Sequence, residues 1–245
     1  MGGKSVRLAR LLPDGRSVVV AADHGIAFGP LRGVEDLSRV AEAAASGGAD
    51  GLMVNLGALR RLEPRGLSLV ASLPCRRRID PWAAVAEALR AGADAVKLMV
   101  FTNCPEEDDY VDLLAETALA CEEWELPLMA EMYPREGRDD PEVVARAARI
   151  AFETGADLVK TFYVEGFSRV VEGCPLPILI LGGPRAESDL DLLRVVESAV
   201  SEGAAGVAFG RNVWQRDDPA SFVRALRAVV HESAGAEEAV EIVGG

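Results

Sequence analysis

Apolar residues along this chain alternate between two rhythms. Short, near-continuous apolar runs predict buried strands at SVVVAAD (17–23), ADGLMVN (49–55), LSLVASL (67–73), DAVKLMVF (94–101), PLMAEMY (127–133), DLVKTFYV (157–164), PILILG (177–182) and AGVAFG (205–210). Between them, stretches such as PWAAVAEALRAG, PEVVARAARIAFETG and SDLDLLRVVESAVSEG repeat their apolar residues every three or four positions, the period of a helix. Several of these stretches end in glycine, a residue favoured just past a helix C-terminus. The helical signal after the second strand is weak, and FSRVVEGC after the sixth is short. AGAEEAVEIVGG predicts a last short helix with a frayed end.

Eight strands, each followed by a crossover, predict a (β/α)8 TIM barrel in which residues 1–245 form one domain. An internal echo supports this. SGGADGLMV, AGADAVKLM, TGADLVKTF and EGAAGVAFG each close a helix with glycine and open a strand after Ala or Asp, one αβ turn used four times. A doubly wound open sheet is the rival, but no Gly-rich dinucleotide fingerprint follows the first strand.

Composition narrows the function. The 245 residues are 49% hydrophobic and carry a formal net charge of −13, which argues against nucleic acid as a partner but not against a small phosphorylated ligand. The N-terminal MGGKSVRLARLLPDG has no apolar core of signal-peptide length, and no apolar run is long enough to span a bilayer, so a cytoplasmic location with no membrane partner is expected. Cysteines 75, 104, 121 and 174 lack CxxC spacing and read as reduced thiols. With histidines only at 24 and 231, zinc is disfavoured, and neither a metal nor another cofactor is expected.

Lysine is the chemical signal. The 26 basic residues include lysine only at 4, 97 and 160, and the last two fall inside apolar strands. A bias of composition that left two lysines there by chance would be the bland account. A buried, unpaired ammonium is costly, so such a lysine should face the barrel axis near the mouth rather than lie beneath a helix. In DLVKTFYV, Leu158 and Phe162 share its face. Desolvation pushes an amine down from about 10.4, and a neutral amine condenses with carbonyls, which arginine does not do.

Other polar residues stand at strand ends, where this fold keeps its chemistry. Asp23 at the end of strand 1 suits a substrate hydroxyl or an ammonium, though Asp-His-Gly is also ordinary turn sequence. Glu131 and Tyr133 share a face of strand 5 and suit proton transfer. A glutamate that deep needs a cationic partner, and Lys97 on the neighbouring strand is the candidate. LGGPR (181–185) and FGRNVW (209–214) end the last two strands. Gly182, Gly183 and Gly210, with Arg211 and the following helix N-termini, predict a phosphate site.

These residues together resemble a known family. AADHGIAFGP, MYPREG, DLVKTFYV, ILGGPR and GVAFGRNVWQRDDP are similar to motifs of the archaeal-type class I fructose-bisphosphate aldolases and the related 2-amino-3,7-dideoxy-heptulosonate synthases, in family order from about Gly3 to about residue 240. The resemblance implies a TIM barrel, a Schiff base on Lys160, acid/base work by Tyr133, an aspartate at Asp23, and phosphate held by Gly182, Gly183, Gly210 and Arg211. It also implies a homo-oligomer that needs no metal. The chain departs from the pattern at Glu131, where the aldolases usually have Trp and the synthases an apolar residue. Lys97 looks more like the tagatose-bisphosphate aldolase type, Leu181 replaces a common serine, and LPCRRRIDP shortens the loop after strand 3.

The expected reaction is class I aldol cleavage or formation of a phosphorylated ketose, first of all fructose 1,6-bisphosphate to dihydroxyacetone phosphate and glyceraldehyde 3-phosphate. Lys97 is expected to tune Lys160 or to bind a substrate oxygen. The alternatives are a transaldolase-like heptulosonate synthase using the same lysine, and a barrel that binds or isomerises a sugar phosphate without covalent chemistry.

Overall fold

The computed structural model describes residues 2–75 and 79–244, so the centre of the LPCRRRIDP loop lies outside the described residues. Eight parallel strands close into a barrel in sequence order: β1 Ser17–Ala21, β2 Gly51–Asn55, β3 Ser68–Leu73, β4 Ala95–Thr102, β5 Leu128–Pro134, β6 Leu158–Thr161, β7 Ile178–Leu181 and β8 Gly206–Phe209. The helices are α1 Gly3–Leu11, α2 Gly25–Phe28, α3 Leu37–Gly47, α4 Leu56–Leu59, α5 Pro81–Arg90, α6 Glu107–Glu123, α7 Pro141–Glu153, α8 Ser168–Gly173, α9 Asp189–Ser201, α10 Arg211–Trp214, α11 Pro219–Glu232 and α12 Ala236–Gly244. This is the (β/α)8 barrel that the strand rhythm predicts.

The barrel closes where β1 pairs with β8, Ser17 opposite Gly206. Gly206 has φ +137°, and a Cβ there would lie 2.0 Å from the Ser17 carbonyl oxygen, so the seam needs glycine. The sequence echo also has a mechanism. Gly48, Gly92, Gly155 and Gly203 all adopt positive φ as helix gives way to strand. In three of the four copies the following aspartate reaches sideways to a neighbouring strand. Asp50, Asp94 and Asp157 accept the backbone N–H of Val18, Leu69 and Leu128 at 2.7, 3.1 and 2.8 Å. Each carboxylate thus staples two adjacent strands at the floor of the barrel. At the fourth copy, Ala205 does the joining with its backbone, donating to Ile178 O and accepting from Ser17 N–H.

Side-chain alternation divides the apolar residues into two clusters. Val18, Val20, Leu52, Val54, Val96, Leu98 and Val159 face outward beneath the helices. Val19, Ala21, Met53, Val70, Ala95, Met129, Leu158, Leu179 and Ala208 fill the barrel itself. Leu11 belongs to this inner cluster, with Leu8 and Leu12 against it, so α1 seals the floor. The apolar rhythm of GKSVRLARL did not announce this helix; its role comes from one leucine docking on the strand starts. β6 is also shorter than DLVKTFYV suggests. Its pairing with β7 ends at Thr161 opposite Ile180, leaving Phe162 beyond the ladder.

Candidate active site

Inward-facing Ala95, Met129 and Leu158 fix the direction of the residues two positions on. Lys97, Glu131 and Lys160 therefore face the axis of the barrel, and Asp23 follows the end of β1. Their side chains are nearly inaccessible and form one continuous chain. Lys97 Nζ lies 2.8 Å from Asp23 Oδ2 and 2.7 Å from Glu131 Oε2. Lys160 Nζ lies 2.8 Å from Glu131 Oε1. Glu131 and Lys160 are directly opposite each other in the β5–β6 register.

The electrostatics fix the charge of Lys97. Burial alone would drive the Lys97 ammonium down, but Asp23 and Glu131 on either side outweigh it and hold it above the ordinary lysine range. Burial would likewise raise the Asp23 carboxyl, yet the charges of Lys97 and Lys160 hold it well below the usual carboxylate range. Glu131 is lowered in the same way, burial being overcome by Lys160 and then Lys97. The expectation that desolvation would depress the buried amines thus fails at Lys97. It is a cation gripped by two carboxylates rather than a neutral amine.

Tyr133 lies two residues beyond Glu131 on the same face of β5. Its ring packs edge-on against Phe162 at 4.8 Å and Phe101 at 5.6 Å between centroids. Its hydroxyl accepts a hydrogen bond from Arg138 Nη1 at 3.2 Å. Phe162 therefore meets the site through Tyr133 despite lying outside the strand.

The loops after β7 and β8 are brought together as expected, with one correction. α10, after β8, is a single turn, and α9 begins seven residues beyond Gly182 with Ser188 already capping it. The expected helix dipoles are therefore too weak or too remote, and backbone N–H groups and Arg211 remain as the donors. Arg211 is half-buried, and its Nε has no hydrogen-bond partner among the described residues. Gly210 sits against the turn after β1, since a Cβ there would lie 2.4 Å from the His24 ring and 2.6 Å from Ala21 O.

His24 is the residue that sequence reasoning passed over. In the sequence it stands out only as a metal ligand, although Asp-His-Gly at a strand end places it beside Asp23. Its ring rests on Trp214 at 5.3 Å between centroids, and Nδ1 is buried without a hydrogen-bond partner among the described residues, 3.8 Å from Asp23 Oδ1. Burial first, against the pull of Asp23 and with help from Lys160 and Arg211, lowers its pKa and favours the neutral ring.

Known proteins resemble this chain in sequence and in shape. The chain is 35% identical over its whole length to the 2-amino-3,7-dideoxy-D-threo-hept-6-ulosonate synthase 1 of Archaeoglobus fulgidus, covering 97% of that protein. It is 38% identical, over 94% of this chain and 91% of the relative, to the 2-amino-4,5-dihydroxy-6-oxo-7-(phosphonooxy)heptanoate synthase of Streptomyces griseus. Among solved structures, a Schiff-base-forming fructose-1,6-bisphosphate aldolase superposes with a TM-score of 0.85 at 32% identity, covering 93% of this chain and 100% of the other. An archaeal fructose-1,6-bisphosphate aldolase whose catalytic lysine carries a carbinolamine of the substrate superposes at 0.83 with 30% identity, over 93% and 99% of the two chains. The family model for DeoC/LacD family aldolases matches residues 17–216. The chain belongs to the DeoC/LacD aldolase family and is an enzyme of the class I aldolase type.

Proposed function

We propose that the protein makes or breaks a carbon–carbon bond of a phosphorylated ketose through an imine on Lys160. One observation carries the reading: of the two lysines inside the barrel, Lys97 is held by two carboxylates, while Lys160 forms an ion pair with Glu131 alone among the described residues. The Lys160 amine adds to the ketone carbon. Glu131, 2.8 Å from Nζ, first takes a proton from the Lys160 ammonium to free the amine; the proton released by the adding nitrogen passes to the carbinolamine oxygen, and the proton held by Glu131 then lets that hydroxyl leave as water. The resulting iminium draws the electron pair of the adjacent carbon–carbon bond. Tyr133 takes the proton of the substrate hydroxyl as that bond breaks and the aldehyde departs, then returns a proton to the enamine carbon. Water releases the ketone, and Lys160 is restored. Lys160 and Lys97 keep Glu131 ionised, and Asp23 holds Lys97 in place from its other side. Gly182, Gly183, Gly210 and Arg211 hold the phosphate by backbone N–H groups and one guanidinium.

Fructose 1,6-bisphosphate is the substrate we propose first, supported by the likeness to the solved aldolases. A second reading is favoured by the names of the curated relatives: transfer of a ketose fragment to an amino-acid aldehyde. Glu131 would repel an acidic acceptor if its charge stood bare, but a lysine sits against each of its oxygens. Product analysis with glyceraldehyde 3-phosphate and with an amino-acid semialdehyde as competing acceptors separates the two. Borohydride reduction in the presence of dihydroxyacetone phosphate should add the reduced adduct to Lys160. An unmodified Lys160, or turnover retained in Lys160→Ala, refutes the covalent mechanism.

A further inference from the structure

The turn after β8 sends successive side chains in different directions. Arg211 is open toward the mouth, Val213 enters the core, and Trp214 Nε1 donates to Ala21 O at 3.0 Å, tying the turn to β1. Asn212 points the other way and is fully buried. Its Nδ2 donates to Gly182 O at 2.5 Å and to Pro184 O at 2.9 Å, and its Oδ1 accepts from Ala186 N–H at 2.7 Å. A side-chain amide has two donor hydrogens and one carbonyl acceptor, so its donors and its acceptor all engage a single loop. Gly182 makes room for it: a Cβ there would lie 3.1 Å from Nδ2 and 2.8 Å from the Phe209 ring. Beside it, Gly183 has φ +61° and faces open space, since a Cβ there would meet nothing within 4 Å.

The far end of the same loop is tied through the backbone of Asn212. Its carbonyl accepts from Arg216 Nε at 2.5 Å, and Arg216 pairs with Asp189, the first residue of α9, while its guanidinium stacks 3.5 Å above the Phe222 ring. One residue thus holds both ends of the segment between β7 and α9 against the turn that carries Gly210 and Arg211.

We propose that Asn212 is a positioning residue that shapes the phosphate cup, setting the Gly182–Gly183 turn at the distance from Gly210 and Arg211 that fits a phosphate monoester. The proposal rests on the phosphate reading above. Without the side chain, two carbonyls and one N–H lose their partner and the loop rearranges to find others, spreading the donors that converge on an anion.

Half-saturation of borohydride trapping at Lys160, read by intact mass, tests this with dihydroxyacetone phosphate and with unphosphorylated dihydroxyacetone. Asn212→Asp keeps the volume and removes both donors; Asn212→Ser shortens the side chain and remains neutral. In both variants the half-saturation concentration for the phosphorylated ketone should rise roughly tenfold to a hundredfold, the loss expected when charge-assisted hydrogen bonds are misaligned. That for dihydroxyacetone, and the extent of trapping at saturation, should stay as in the unaltered protein. Equal weakening toward both ketones, or no change toward either, overturns the proposal. So does a loss of folding by circular dichroism in both variants, which would make Asn212 a requirement of the barrel. If the unaltered protein traps both ketones at Lys160 with no preference, the phosphate reading fails and this inference with it; if it traps neither, the imine reading fails first.

Discussion

Replacing Lys97 by methionine tests the charge arrangement inside the barrel. Lys97 Nζ stands 2.8 Å from Asp23 and 2.7 Å from Glu131, with only 4% of its side chain exposed. At an effective dielectric of about 20, each contact is worth about 6 kcal/mol of gross attraction, much of it offset by the desolvation of three ions. Removing one partner of such a buried set costs about 3–5 kcal/mol, because the remaining charges stay buried and unpaired. The loss should depend on pH. In the unaltered protein the folded-state pKa values of Asp23 and Glu131 are depressed. Their contribution is therefore complete above the unfolded carboxyl values of about 4 and is lost only as pH falls through the lower folded values, leaving it constant between pH 5 and 7.5. In Lys97→Met, burial, the largest influence on both carboxyls, is no longer overcome, and at least one folded-state pKa rises above its unfolded value. That carboxyl then takes up a proton in the folded state as pH falls, so the deficit is greatest near pH 7.5 and shrinks toward pH 5. Urea unfolding at both pH values reads this directly. A loss under about 1 kcal/mol at pH 7.5, or one of equal size at the two pH values, refutes the reasoning.

Two further outcomes follow from the same geometry. Tyr133→Phe should lower kcat by about 10²–10⁴-fold while borohydride still traps the adduct on Lys160, because in the proposed reaction the phenol serves bond cleavage and not imine formation; steady-state kinetics and intact mass check this. His24 is lowered in the folded state, so its unfolded form takes up a proton first and stability falls as pH drops below about 6.5. In His24→Asn, chemical unfolding between pH 7 and 5 should show a smaller decline than in the unaltered protein.

Much of the barrel is legible in the residues themselves. Buried parallel strands are apolar on both faces, so all eight stand out as runs, and the Gly-Ala-Asp echo marks the turns because each copy needs positive φ at glycine. α1 is not legible in the same way, since Leu11 matters only once it docks among the strand starts. Within the site, the Glu131–Lys97 pair can be read from neighbouring strands and an unaffordable lone carboxylate. The Asp23–Lys97 contact joins β1 to β4, and pairing along the sheet does not reveal it; only closure of the barrel brings those side chains together. Asn212 is obscured for another reason. Beside Arg211 it looks like an ordinary polar turn residue, and its partners are backbone atoms 26 to 30 positions away, which have no signature in a sequence.

The leucines of α1 have a kinetic consequence. With the base of the barrel plugged, the proposed substrate would reach Lys160 through the same doorway by which its products leave. In the proposed reaction the aldehyde would clear that doorway before water enters to free the ketone. Traffic through a single entrance imposes an order on the exits.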